Sequence, residues 1–351
     1  MRGRKNNAKS VTIADVAREA GVAPMTVSRA MNGHPSVKPS TMEKVRAAIE
    51  HLSYAPNPAA RMLMGQPSNS IALVVPELKN PFFAIVADGV QTAARTRGTL
   101  VWVVSSNNDV GVEQSEIERL LNYHVDGILL ISSDPGSRYL QKLVSDGPPV
   151  VAIDLPIEST GADAVLVENR LGSQNAVQHL IDHGHKNILC VGAWTNLYTM
   201  RERIAGYEIA MQKSGLKPQL IPDAGNLAIT KQALERMCNR KEPRGAIFSL
   251  NQLTTEIVLN ILDDLKISVP DQVALVGFDD FAFAAHLQPS LTVVRQPAGE
   301  LGRYAANILF ERLDSKEQLL PRRTLLPTEL VVRESCGCHK PQSIHGISIV
   351  Q

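Results

Sequence analysis

The chain has 351 residues, 44% of them hydrophobic and only 4% aromatic, with a net charge of +1. That length suits two or three domains with sizeable cores. No apolar run reaches the length of a membrane span, and the opening MRGRKNNAKS lacks the apolar stretch of a signal peptide. The four cysteines, Cys190, Cys238, Cys336 and Cys338, make no disulfide framework, so a cytoplasmic, nucleoid-associated protein without membrane contact is expected.

The charge is unevenly spread. Residues 1–65 hold ten Lys/Arg against four Asp/Glu, and the remainder holds 26 against 31. A small basic head on an acidic body points to a polyanionic partner for the head.

Residues 1–10 are polar and basic and read as a disordered arm. VTIADVAREAG then predicts a helix with Thr12 at its cap, Asp15 in its first turn and Gly21 as its stop. Ile13, Val16, Ala17 and Ala20 share one face. PMTVSRAMN starts a second helix at Pro24, with Val27, Ala30 and Met31 inward and Met25, Thr26, Ser28 and Arg29 outward. A third helix, PSTMEKVRAAIEHLSY, buries Met42, Val45, Ile49 and Leu52. Over 11–56 this describes a helix-turn-helix head whose second helix enters a major groove. An ordinary three-helix scaffold has the same spacing and stays open at this point.

The linker 57–67, NPAARMLMGQP, is fenced by prolines yet apolar in its middle. It is too short to hold a helix alone in water. The expectation is that residues 57–64 are disordered off DNA and helical on it, with Leu63 wedged into a central base step. Packing of Met62 to Met64 on the body is the alternative.

From Ile71 onward, short apolar strands alternate with amphipathic helices: IALVVP, LVWVVSS, GILLIS, VVAID and AVLVE, then NILCVG, GAIFSLN and VALVGFDD. Two successive series predict two doubly wound lobes with parallel sheets. VVPELKNPFF carries no G-x-G-x-x-G, and no Walker, zinc-protease or nucleophile-elbow motif follows, so neither an enzyme nor a cofactor is expected. Ligands in such sheets gather at the carboxyl ends of strands. Asp154, Asn251 and Asp279 close strands, and Thr199 and Arg203 sit at the start of a helix. Phe82 and Phe83 are candidates for a cleft lining or for core. Carboxylates that accept hydroxyl protons, beside fixed Arg and Asn donors, suit a polyol. The segment 336–351, CGCHKPQSIHGISIVQ, reads as a disordered tail. Cys336, Cys338 and His339 are three close soft ligands without a fourth, and no metal site is expected there.

VTIADVAREAGVAPMTVSRAMNG and YAPNPAARMLMG resemble the head and hinge of the LacI/GalR (lactose and galactose repressor) family. The likeness continues through IALVVPELKNPFF, VDGILLISS, VVAID, RERIAGYEIAM, VPDQVALVGFDD and LTVVRQPAGELGRYAANIL, nearly the whole chain. It implies an N-terminal all-α helix-turn-helix head and an α/β periplasmic-binding-protein-like body of two doubly wound lobes. The N-lobe would take about 68–165 and 296–326, the C-lobe about 166–295 and 327–335. The implied function is a ligand-responsive regulator, most often a repressor, that binds a palindromic double-stranded operator as a homodimer and takes a small sugar or related polyol as effector. By position, the resemblance implies DNA contacts from Thr12, Met25, Thr26, Ser28, Arg29, Asn32, Asn57, Leu63 and Met64. It implies effector contacts from Phe82, Asp154, Thr199, Arg203, Asn251 and Asp279. Two departures stand out. Ala23 replaces the family's usual Ser cap, worth about 1 kcal/mol. Leu227 stands where relatives often carry an aromatic ring, which weakens the case for a planar ligand such as a purine. The rival reading is a sugar-binding module of periplasmic type without regulatory DNA binding, which would share the body but lack the basic head.

Overall fold

The computed structural model describes residues 11–31, 33–54, 67–158, 160–238, 245–317 and 319–338, and the chain forms two compact units, 1–68 and 69–351. The linker positions Asn57, Leu63 and Met64, together with Asn32 and His339, lie outside the described residues.

The head holds α1 (Ile13–Ala20), α2 (Pro24–Met31) and α3 (Pro39–His51). The Asp15 carboxylate accepts the Thr12 backbone N–H at 3.0 Å and its hydroxyl at 2.7 Å, closing the start of α1. Gly21 ends that helix at φ 66, a conformation costly for any residue with a Cβ. Among the described residues of the head, Val16, Ala17, Val27, Ala30, Val45 and Ala48 form the buried core, with Ile13, Met31, Met42, Ile49 and Leu52 packed around them. This is a small core of small side chains.

The body opens with β1 (Ser70–Val75), α4 (Pro81–Arg95), β2 (Leu100–Ser105), α5 (Val110–Asn122) and β3 (Gly127–Leu130). Next come α6 (Arg138–Asp146), β4 (Val150–Ile153), β5 (Asp163–Val167), α7 (Asn169–Asp182) and β6 (Asn187–Val191). Then follow α8 (Tyr198–Lys213), β7 (Gln219–Ile221), α9 (Leu227–Cys238), β8 (Gly245–Ser249) and α10 (Gln252–Asp264). The series closes with β9 (Val273–Phe278), β10 (Thr292–Arg295), α11 (Ala298–Asp314), β11 (Arg323–Leu326) and β12 (Glu329–Val331). One sheet runs β11-β5-β4-β3-β1-β2 and the other β12-β10-β9-β8-β6-β7. Among the described residues, all pairings are parallel except that of β12 with β10. Most apolar runs read from the sequence are buried strands such as β1 and β9, covered by helices on each side, whereas LVWVVSS forms the partly exposed edge strand β2.

The chain crosses between the sheets three times: after Val167, between Arg295 and Ala298, and between Leu326 and Glu329. The first lobe is therefore closed by a helix and a strand from far along the chain. Asp163 fastens that closure. Its carboxylate accepts Arg312 Nε at 2.6 Å, Arg312 Nη2 at 2.8 Å and the Arg322 backbone N–H at 2.6 Å.

The expectation of a disordered tail from residue 336 is corrected for its first three residues. Cys336 is fully buried in the second lobe's core with Val177, Leu180 and Val294, and Cys338 packs against that core. Backbone and side-chain bonds draw the segment onto the sheet. The Ser335 hydroxyl donates to Leu275 O at 2.6 Å and accepts the Thr292 N–H at 2.8 Å. No helix among the described residues is long and apolar enough to cross a membrane.

Candidate functional site

Two faces collect the functional candidates. On α2, Val27 and Ala30 point into the core while Met25 is 64% exposed, Arg29 is exposed, and Thr26 and Ser28 are half-buried. Arg18 pairs with Asp15 at 3.1 Å and Arg46 lies 3.8 Å from Glu50, but Arg29 carries no ion pair among the described residues. Its guanidinium is a fixed fork of donors matched to guanine edges or phosphate oxygens, and Met25 offers apolar surface to a thymine methyl. Thr12 is exposed but commits its hydroxyl to Asp15. Ala23 has no side-chain acceptor, so α2 begins with only the Ala23 carbonyl receiving the Thr26 and Val27 N–H groups.

In the body, the carboxyl ends of both sheets face a cavity of about 620 Å³. Phe82, Asp154, Thr199, Arg203, Asn251 and Asp279 all line it. Asp154 follows β4 at φ 63 and Asp279 follows β9 at φ 81, left-handed conformations that few non-glycine residues adopt. Their backbone N–H groups still donate to Val165 O and Val294 O, both at 2.9 Å. Each strand thus keeps its ladder up to the residue that lines the cavity.

Arg203 is the hub. In α8 it stands one turn after Thr199, and both are buried. Gly206, near the midpoint of α8, lets this helix lie directly on α7. A Cβ there would sit 2.1 Å from the Arg170 carbonyl oxygen. The close approach brings Arg203 Nε to Asn169 Oδ1 at 2.7 Å and Nη1 to Leu250 O at 2.7 Å. The guanidinium carbon lies 3.7 Å from the centre of the Phe278 ring, and Nη1 lies 3.7 Å from Asp279 Oδ1. Burial lowers the Arg203 pKa, opposed by Asp279 and Asp154. Burial likewise pushes Asp154 up to about 6, with Arg203 pulling it down and Asp279 pushing it further up. Asp154 Oδ1 and Gln296 Oε1 are shut from solvent with no hydrogen-bond partner among the described residues. Unpartnered buried acceptors are costly, and a ligand hydroxyl would satisfy them.

The other members have divided duties. Asn251 Oδ1 caps α10, accepting the Thr254 N–H at 2.8 Å and hydroxyl at 2.7 Å, while its amide NH₂ makes a long bond to Met200 Sδ at 4.0 Å and keeps its second N–H for a ligand. Asp279 accepts Gln296 Nε2 at 2.5 Å and the Gln252 N–H at 3.1 Å. Phe82 packs edge-on to Phe83, with ring centres 5.4 Å apart, and both serve core and cavity together.

Three contributors escaped the sequence reading. Gln296 follows β10 directly, so the strand-end rule that found Asp154 would have found it. Trp194, exposed at the cavity, sits in the loop after β6. Glu113 gave no signal, since a carboxylate in an amphipathic helix normally faces water. Here it is fully buried and accepts the Ser132 hydroxyl at 2.7 Å, the Ser133 N–H at 2.5 Å and the Tyr139 hydroxyl. It holds the cavity-lining Ser132 and Ser133 in place. Leu227, noted as a departure, is exposed at the start of α9.

Residues 12–57 match the profile of bacterial regulatory proteins of the lacI family, and residues 177–336 match the periplasmic binding protein-like domain. The HTH-type transcriptional repressor PurR of Photobacterium profundum is 31% identical, covering 92% of this chain and 98% of its own. The HTH-type transcriptional regulator CelR of Thermobifida fusca is 33% identical over the same shares. Among solved structures, a CelR–cellobiose complex is similar at TM-score 0.67 and 31% identity, covering 93% of this chain and 99% of its own. A lac repressor dimer bound to operator shares the fold at TM-score 0.79 and 24% identity, with the same coverage. A helical head presenting one arginine-bearing face, a two-lobe body with a polar cavity at its strand ends, and relatives aligned over more than nine-tenths of the chain agree: the protein belongs to the lacI family of bacterial regulatory proteins and is a ligand-responsive transcription regulator.

Proposed function

We propose that the protein is a transcriptional repressor that binds a palindromic operator as a homodimer through α2 and takes a small sugar or related polyol as its effector. The carrying observation is the trio Asp154, Arg203 and Asp279. Two carboxylates flank a buried guanidinium, and one carboxylate oxygen waits without a partner among the described residues. A polyol hydroxyl can donate to Asp154 and accept from Asn251 while its ring packs on Phe82 or Trp194. The relative solved with cellobiose supports a carbohydrate. On the edge strand β2, exposed Leu100 and Trp102, the latter stacked on Tyr123 at 5.9 Å, offer apolar surface to a second copy. We place the protein in the cytoplasm at the nucleoid, with no catalytic step.

The test is thermal unfolding across mono- and disaccharides with purine bases as controls, followed by operator mobility shifts with any hit. A sugar that raises Tm and changes operator affinity in wild type, and does neither in Asp279→Ala, is the expected result. Stabilisation by a purine and by no sugar would overturn the polyol assignment.

A further inference from the structure

The thiol-bearing segment after β12 has no part in either face described above. Cys336 is fully buried, Cys338 is half-buried, and their sulfurs lie 3.0 Å apart. Across from them, near the end of α7, His179 brings Nε2 to within 3.1 Å of Cys338 Sγ, from a position 159 residues away in the chain. The three donor atoms all lie within 4.8 Å of one another.

We propose that His179, Cys336 and Cys338 form a binding site for a soft d¹⁰ metal cation of the zinc class. The donor set decides the class. Two thiolates and an imidazole favour zinc or monovalent copper over the hard, oxygen-seeking cations. Buried cysteines often act only as small hydrophobes, and two adjacent thiols can also form a disulfide. Neither role needs an imidazole nitrogen aimed at a sulfur from another helix. A metal does. His179 is itself steadied. The His183 ring lies 4.4 Å from it, centre to centre, and His183 Nδ1 is 2.7 Å from the His179 carbonyl oxygen.

The geometry needs a small adjustment. Two sulfurs on a tetrahedral zinc stand about 3.7 Å apart, and a sulfur and an imidazole nitrogen about 3.5 Å. The observed 3.0 and 3.1 Å fit a collapsed cluster in which hydrogen bonds join sulfur to sulfur and sulfur to imidazole, and the cation would take the place of those protons. Opening by roughly half an ångström falls to Cys338, the half-exposed member, because Cys336 is held in the core. The exposed side, where both Cys338 and His179 reach solvent, leaves the fourth position to water or a further donor.

The test uses the full-length protein, reduced with a phosphine and stripped with a chelator. Zinc is then titrated in competition with a chromophoric chelator. Wild type should hold one equivalent per chain, and Cys338→Ser and His179→Asn should each weaken it about 100-fold or more. Cys190→Ser, buried elsewhere in the second lobe, should leave it unchanged. Cobalt substitution should give a sulfur-to-metal charge-transfer absorption that Cys338→Ser diminishes. If Cys338→Ser does not fold, His179→Asn alone reads the site, since His179 is half-exposed. Zinc retained equally by both variants would overturn the proposal. So would a reduced wild type that takes up no metal and reoxidises to a Cys336–Cys338 disulfide.

Discussion

In the head, Met25 and Arg29 stand in solvent on a helix whose other face buries Val27 and Ala30. In the cleft, Arg203 is 2% exposed, held by Asn169, Leu250 and Asp279, and stacked on Phe278. The two surfaces meet different partners. A polyanion as large as DNA brings its own charge and shape, so a side chain need only be presented. A small ligand offers few atoms and little total contact area, so the protein must hold its donors and acceptors in advance and bear the cost of burying them. The difference predicts that substitutions of the exposed contact residues in the head alter binding and spare stability, whereas substitutions in the cleft alter both.

Arg203→Ala is the severest expected break. Removing one member of a buried charge group leaves Asp279 and Asp154 uncompensated, and the loss should be about 3–5 kcal/mol by chemical denaturation. Arg203→Lys should recover little, because one ammonium cannot reach both Asn169 Oδ1 and Leu250 O as the fork does. Unchanged denaturation midpoints in both would mean that the guanidinium is not the hub.

Asp154 sharpens the contrast in the opposite direction. Its carboxyl is pushed from 3.8 up to about 6 in the folded protein, so the folded state holds that proton more tightly than the unfolded chain does. Stability is therefore lost as pH rises from about 4 to about 6, and the full penalty stands above that window. Asp154→Asn should raise the stability of the ligand-free protein by on the order of 2 kcal/mol near neutral pH and by almost nothing near pH 4. Effector binding should fall in the same variant. A gain in Tm that does not vary with pH would show that the charge is not its source.

In the head, Arg29→Ala should weaken specific operator binding by about 1–3 kcal/mol with Tm unchanged, measured by mobility shift and scanning calorimetry. A fall in Tm would mean that the head also depends on its contact residues. The smallest expected effect is Ala23→Ser. Supplying the missing cap to α2 should add about 1 kcal/mol to the head's stability without touching the cleft.

The sequence was most informative where function follows from local position. Strand ends named Asp154, Asn251 and Asp279, and helical periodicity separated Val27 and Ala30 from Met25 and Arg29. It was least informative where a side chain's role comes from a distant partner. Glu113 reads as a solvent-facing helix residue until Ser132, Ser133 and Tyr139 close over it. Cys336 and Cys338 look like tail residues until Ser335 fixes them to β9 and β10, and His179 comes from α7, far away in the chain. Gln296 was within reach, because it follows a strand as the others do.

The three crossings between the lobes bear on how this chain is made. The first lobe begins at Ser70, yet its sheet is completed by β11, which ends at Leu326, and α11 packs across α4. There, a Cβ on Gly302 would lie 2.1 Å from the Val86 carbonyl oxygen. During synthesis at about 5–20 residues per second, the early strands must wait on the order of ten seconds or more for that late helix and strand to emerge. Over that interval the apolar faces of β4 and β5, later covered by α11, have no native cover. The head, whose three helices are contiguous, can be finished long before.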